Sequence, residues 1–417
     1  MKEVLFIAYY FPPMGLSGVQ RTLKFAKYLP KYQWKPIVLT TNNTNFYAHD
    51  ETLMKEAEES EIEIARAGRR SPKKKKKNKL PSYFIQKIGR MVLQTLFIPD
   101  RFIGWKKEAI KEAEEIIKER NIEVIYTTAP PYTDFLIGRE LSKKYEIPYI
   151  IDYRDTWVDN KFNYYPTPFH KRKNINLENE VVTHASKIIV ISRHAKELLL
   201  QRYKILNHED VMIIPHGFDK QDFDLHPDAK PDNLYFTITH SGMFQDDRNP
   251  KYFFKALSLF LKKVPEAKPK LRLKLVGLMR KSHLKMIKKY KLEDNVISVG
   301  NVSHSVAVRS LLESDVLWLL LNDSIRTPGK LYEYFGAGKP LLLTTPDGDM
   351  RQLAMKSKVA ICTDNKDIDA IIEGIKTYYN LWKIHNLPKP DKEFIRNYDR
   401  ESLTEKLAKE ISYACNI

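Results

Sequence analysis

The stretch Arg326-Thr327-Pro328-Gly329-Lys330-Leu331-Tyr332-Glu333-Tyr334-Phe335-Gly336-Ala337-Gly338-Lys339-Pro340-Leu341 carries a helix together with its start and stop signals. Pro328 suits the opening of a helix and Gly338 its close. Lys330 and Glu333 are three apart, so they share one helical face. The apolar run 341–344 follows at once, giving helix, turn and buried strand in order. A lysine in the first turn opposes the helix macrodipole, and an anion such as pyrophosphate bound there would relieve the conflict. Glu333, one turn further in, is placed to accept hydrogen bonds from a ribose diol. The plainer alternative is an ordinary surface Lys–Glu pair. Gly336 to Pro340 looks like a phosphate loop, but Pro340 stands where Ser or Thr is required and the glycines end a helix, so a Walker motif is excluded.

The same alternation of strand and helix fills the rest of the chain. Runs at 235–240, 271–276, 296–299, 316–320 and 341–344 form one series of strand candidates. Runs at 4–9, 36–40, 123–127, 149–152, 188–191 and 211–214 form another. Between them lie amphipathic stretches, such as 20–29 with Leu23, Ala26 and Leu29 on one face, and 106–120 with Ala109, Ala113, Ile116 and Ile117. The pattern predicts an α/β protein with two Rossmann-like parallel domains facing an interdomain cleft, where the carboxyl ends of strands gather ligands. A length of 417 residues favours two cores over one. The expected division is 1–218, a Pro- and Asp-rich linker at 219–234, a second domain at 235–390, and a tail at 391–417 whose helix, 400–415, packs back on the first domain.

The first strand runs into Tyr9-Tyr10-Phe11-Pro12-Pro13-Met14-Gly15-Leu16-Ser17-Gly18-Val19-Gln20-Arg21 and a helix. Gly15 and Gly18 let backbone approach a ligand, and the helix start, with Ser17, suits a phosphate or an acceptor group. The spacing is not G-x-G-x-x-G, which argues against a dinucleotide site. A tight strand-to-helix turn is the competing explanation for both glycines.

The formal charge of +18 is concentrated. Between Arg66 and Arg90 there are eleven basic residues (Arg66, Arg69, Arg70, Lys73 to Lys77, Lys79, Lys87, Arg90) and no acidic one. After the lysines, Phe84, Ile85, Ile88, Val92 and Leu96 recur at helical spacing, with Lys87, Arg90 and Gln94 off the stripe. This is an interfacial composition. The basic arm, 66–97 and on to 104, is therefore expected to meet an anionic membrane surface, unless the stripe packs on the first domain and the lysines form a solvated loop. The two cysteines match no metal spacing. No run approaches the ~20 apolar residues of a spanning helix, and the N-terminal run is too short for a secretion signal. The expected location is cytoplasmic, peripheral on the inner face of the cytoplasmic membrane.

Pro328 to Pro340 resembles the donor-site signature of retaining GT-B glycosyltransferases of the group 1, or GT4-like, family. Further blocks keep the family's order: Ile147-Pro148-Tyr149 with Asp152-Tyr153-Arg154-Asp155-Thr156-Trp157, then Val190-Ile191-Ser192, Ile214-Pro215-His216-Gly217-Phe218-Asp219, Ser241-Gly242-Met243 with Arg248-Asn249-Pro250, Leu275-Val276-Gly277 and Val299-Gly300-Asn301-Val302. The resemblance implies a nucleotide-sugar donor, UDP- or GDP-linked, and no other cofactor. It places Glu333 at the ribose, Lys330 and Arg248 at the pyrophosphate, Val302 at the nucleobase, and Gly329 and Leu331 beside them. Gly15, Ser17 and Gly18 fall on the phosphate and acceptor loop, and Arg154 with Asp155 on the catalytic, acceptor-facing position. Ile325 stands where the family's E-x7-E pattern has its first glutamate, Met243 where many members have Arg, and His216 where most have Asn. These departures point to the branch that builds cell-surface polysaccharides, with a lipid-linked or glycan acceptor.

Cationic groups at the leaving diphosphate would do the work of a metal, so metal-independent hexosyl transfer is expected. A front-face route fits retention better than a double displacement. Asp155 is the alternative base, unless Arg154 and Asp155 form only a structural pair. Two other classes compete. A nucleotide-sugar epimerase of the same fold needs no membrane arm, and a phosphorylase wants a longer chain. The other class is a basic nucleic-acid- or membrane-binding protein without catalysis; nucleic-acid binding would show aromatic interleaving in the basic segment, which is missing here, so no specific nucleic acid is expected.

Overall fold

Among the described residues thirteen strands, all parallel to their neighbours, make two sheets. The computed structural model of the chain describes residues 1–15, 17–42, 49–68, 83–160, 162–244, 248–326 and 328–416; the side chains of Ser17, Tyr83, Phe84 and Ile85 lie outside that description. Residues 1–215 with 400–417 form one compact unit, and 216–399 form the other.

In the first unit the strands are β1 (Lys2–Ile7), β2 (Trp34–Thr41), β3 (Glu63–Ala67), β4 (Ile122–Ala129), β5 (Tyr149–Tyr153), β6 (Lys187–Val190) and β7 (Val211–Ile213). Their order is β3-β2-β1-β4-β5-β6-β7. Helices cover both faces, so both sets of alternating side chains are apolar. Leu5 and Ile7 of β1 join one core and Val4 and Phe6 the other. The helix Arg400–Ala414 closes the second of these cores: Leu403, Leu407, Ala408 and Ile411 pack with Val4, Phe6, Leu23 and Ala26.

The second unit holds β8 (Phe236–Ser241), β9 (Leu271–Val276), β10 (Val296–Gly300), β11 (Val316–Leu320), β12 (Leu341–Thr344) and β13 (Ala360–Thr363), in the order β10-β9-β8-β11-β12-β13. Here too adjacent residues of one strand face different cores: Trp318 and Leu320 one, Leu317 and Leu319 the other. Residues 216–234 and 391–399 belong to this unit. The Pro- and Asp-rich stretch contains a short helix, Lys220–Asp224, whose cap Asp219 accepts from Gln221 N–H at 3.0 Å.

Two strands were not expected. β3 reads Glu-Ile-Ala-Arg-Ala and β13 Ala-Ile-Cys-Thr. Each is an edge strand with little apolar mass, held by pairing with β2 or β12 rather than by its own pattern. Arg66, expected in the basic arm, lies in β3, and its guanidinium donates to the Pro12 and Thr41 carbonyls. The arm's residues 69–82, with Lys73 to Lys77, lie outside the described residues. Tyr83–Leu96 is a helix. Among the described residues no helix is long and apolar enough to cross a membrane.

Candidate functional site

In each sheet the connections reverse direction beside the first strand, between β1 and β4 and between β8 and β11. Ligands of open α/β sheets bind at such points, outside the carboxyl ends of the strands. In the second unit three neighbouring strands end there on glycine: Gly242, Gly277 and Gly300, with φ of +103°, +128° and +82°. Gly242 N–H donates to the Val276 carbonyl at 2.5 Å and Gly277 N–H to the Gly300 carbonyl at 2.7 Å. A Cβ on Gly277 would lie 2.8 Å from the Gly242 carbonyl carbon. The left-handed conformation and this close approach both require glycine. The result is a floor of bare backbone, and the Lys330 side chain lies on it, since a Cβ on Gly242 would collide with the ammonium.

Lys330 is the second residue of the helix Gly329–Ala337, which Gly338 closes in the left-handed conformation (φ 65°). Burial, and then Arg248, pull the Lys330 ammonium down to about 7, against an opposing pull from Glu333. Two cations are thus held close at one helix start. Beneath them, His240 is buried; its Nδ1 donates to the Trp318 carbonyl at 3.0 Å and its ring stacks on Phe244 at 4.3 Å. Burial, then Lys330 and Arg248, keep this imidazole neutral by pushing it well below its ordinary value. Tyr334 fixes the helix to the floor: its hydroxyl accepts from Ser241 N–H at 2.9 Å and donates to the Trp318 carbonyl at 3.2 Å. Glu333 Oε1 lies 3.4 Å from His304 Nε2, whose other nitrogen is 3.8 Å from Asp222. The loop carrying Val302 is thereby brought beside the helix.

Lys330, Arg248 and Glu333 therefore come together, with half-buried Gly329 at the same helix start. Leu331 does not: its side chain is core, 0% exposed, and its N–H is bonded to the Pro328 carbonyl. A glycine at the carboxyl end of each of three apolar runs, Gly242, Gly277 and Gly300, is the sequence signal for the floor. His240 and Tyr334 carried none, because their partners are distant in sequence.

At the switch point of the first unit, Arg154 is buried and its guanidinium donates to the carbonyls of Gly18 and Pro130. A Cβ on Gly15 would lie 2.8 Å from Asp50 Cβ and against the backbone beside it, so close packing demands that glycine, and one on Gly18 would displace Arg154 Nη1, 2.6 Å away. Arg154 thus ties the helix Ser17–Tyr28 to the end of β4, and Asp155 beside it is exposed. The Ser17 side chain lies outside the described residues. Asp152 and Arg21, unassigned by sequence, form a buried bidentate pair at 2.7 and 2.9 Å that Tyr126 completes at 2.6 Å. Nearby, buried Asp134 accepts from Tyr9 N–H at 2.9 Å, and burial pushes its carboxyl well up.

Residues 18–222 match the family described as Glycosyltransferase Family 4, and residues 223–397 match Glycosyl transferases group 1. No curated protein matches the sequence. Among solved structures, sucrose-phosphate synthase from Thermosynechococcus elongatus is similar with a TM-score of 0.69 at 13% identity, over 99% of each chain. A glycosyltransferase from Rickettsia africae gives 0.62 at 15%, over 99% of this chain and 98% of that one. The Anabaena protein HepE in complex with UDP-glucose gives 0.62 at 15%, over 99% and 100%. These likenesses establish a shared fold.

Proposed function

Since the chain belongs to the GT4-like group 1 glycosyltransferases, with the two Rossmann-like sheets of the GT-B fold, we propose that it is a retaining hexosyltransferase of cell-surface polysaccharide synthesis. Its donor is a UDP- or GDP-linked sugar. Its acceptor is a lipid-linked or other glycan met at the inner face of the cytoplasmic membrane. The observation that carries this reading is Lys330 laid on Gly242 beside Arg248, at the start of a helix that carries Glu333 one turn on.

When the sugar leaves, negative charge grows on the diphosphate while the ring becomes oxocarbenium-like. Fixed cations and helix N–H groups aimed at that charge lower the barrier. Lys330 and Arg248 take that role, Glu333 binds the ribose, and the Val302 backbone meets the base. In the first unit Arg154 positions the Gly15 to Gly18 loop, and Asp155 faces the acceptor hydroxyl. The leaving phosphate accepts that hydroxyl's proton, with Asp155 as the alternative base. Two cations at the diphosphate make a metal unnecessary, so EDTA is expected to leave turnover of the purified enzyme unchanged.

Thermal-shift screening with UDP, GDP and their common sugars tests the donor site, because a ligand that binds only the folded chain raises its melting temperature. One nucleotide series is expected to raise it, and Lys330→Met to remove the effect. A melting temperature indifferent to every nucleotide would sink the proposal. Epimer formed from a nucleotide sugar alone, without acceptor, would replace transfer by epimerisation.

A further inference from the structure

The helix Tyr83–Leu96 turns its apolar stripe outward. Ile88, Val92 and Leu96, on three successive turns, are 45%, 51% and 68% exposed, and Phe97 adds 37%. Its other side is occupied: Gln94 Nε2 donates to Asn163 Oδ1 at 3.2 Å, Gln94 Oε1 accepts from Tyr164 N–H at 2.9 Å, and Arg90 lies over the Phe162 ring. The next helix, Pro168–His184, starts against its end, with His170 Nε2 3.1 Å from the Thr95 carbonyl. That start brings Phe169, 67% exposed, and Tyr164, 39% exposed, to the same region. Lys171, Arg172 and Lys173 are exposed on the following turn, and Lys87 is exposed on the first helix. Neither contributing segment, 83–97 or 160–176, contains a single Asp or Glu.

Single exposed apolar residues are ordinary, but a contiguous set ringed by one sign of charge marks an interaction surface. We infer that the 83–97 helix and the start of the 168–184 helix form one docking face that inserts into an anionic phospholipid bilayer. Val92, Leu96 and Phe169 enter the acyl boundary, and Lys87, Arg172 and Lys173 meet the headgroup phosphates. The absence of acidic residues from both segments favours this occupant over a second copy of the chain, whose own cations would repel. The face lies wholly within the first unit and needs no contribution from residues 69–82. The inference deepens the membrane-held acceptor proposed above and rests on it only for its purpose.

Co-sedimentation of the full chain with phosphatidylglycerol-rich vesicles, against phosphatidylcholine alone, tests it. The wild type is expected to pellet with the anionic vesicles only, and to be released by salt. Val92→Glu with Leu96→Glu and Phe169→Glu should lower partitioning at least ~10-fold. Lys87→Glu with Arg172→Glu and Lys173→Glu should abolish the preference for anionic lipid. All six positions are exposed, and an unchanged melting temperature verifies folding of both variants. Undiminished pelleting of the apolar variant overturns the inference. So does a wild type that ignores vesicles, one that dimerises through this face by light scattering, or one that binds duplex DNA in a manner lost with the apolar substitutions. Nucleotide-induced thermal shift is read separately: vesicle binding without it removes the donor-site proposal and leaves this face, and the converse removes only the face.

Discussion

At the scale of the residue, the donor site proposed around Lys330 would make nucleotide binding a proton-linked event. Its ammonium titrates at about 7 without ligand, and a bound diphosphate favours the charged form. Binding therefore takes up a proton above pH 7, and affinity for the nucleotide falls as pH rises, by as much as ~10-fold per unit until the bound state itself deprotonates. Calorimetric titration at pH 8 in buffers of different ionisation heat is expected to show uptake approaching one proton, and Lys330→Arg, which keeps a cation charged throughout this range, to show none. The same group sets a trend in the free protein. Its folded value is below the unfolded one of 10.5, so between pH 7 and 10.5 the unfolded chain holds the extra proton and stability rises with pH. Lys330 and Glu333 were legible in sequence because caps and i,i+3 spacing are local. The neutral His240 under them was not, since its state depends on Trp318 and on two cations brought in from elsewhere in the chain.

At the scale of the element, the 329–337 helix is useful only where its first turn meets the glycine floor. Gly336 and Tyr334 are among the residues that hold it there. Gly336 lets it settle on Phe218 and Phe223, where a Cβ would lie 2.6 Å from each ring. Gly336→Val is expected to overpack that seam and destabilise the second unit by about 1–3 kcal/mol, read as a lower chemical-denaturation midpoint. Tyr334→Phe removes the acceptor of Ser241 N–H, leaving a buried donor unmet at about 1–3 kcal/mol. It should weaken nucleotide-induced thermal shift more than Gly336→Val does, because the floor and the first turn come apart. The start and stop of this helix were legible because Pro328 and Gly338 act within one turn. β3 and β13 were not, since Glu63, Arg66 and Cys362 read as surface or loop residues until a neighbouring strand supplies their hydrogen bonds.

At the scale of the whole molecule, the first unit is assembled from two distant stretches of chain. Alternating runs announced two parallel α/β units, because covered sheets demand apolar residues on both faces. The place where one unit gives way to the other depends on packing, and composition alone drew it through 219–234. Truncation after Asp399 strips Leu403, Leu407 and Ile411, each 0% exposed, from the core over β1. At about 2 kcal/mol apiece the loss approaches the whole stability of an ordinary domain. Scanning calorimetry of that truncation is expected to keep a transition for 216–399 and lose the one for 1–215. A ribosome delivers 216–399 before it delivers 400–414. A nascent chain therefore has everything it needs for its second half while the first still shows an uncovered strip of leucine and phenylalanine, and chaperones have that interval in which to act.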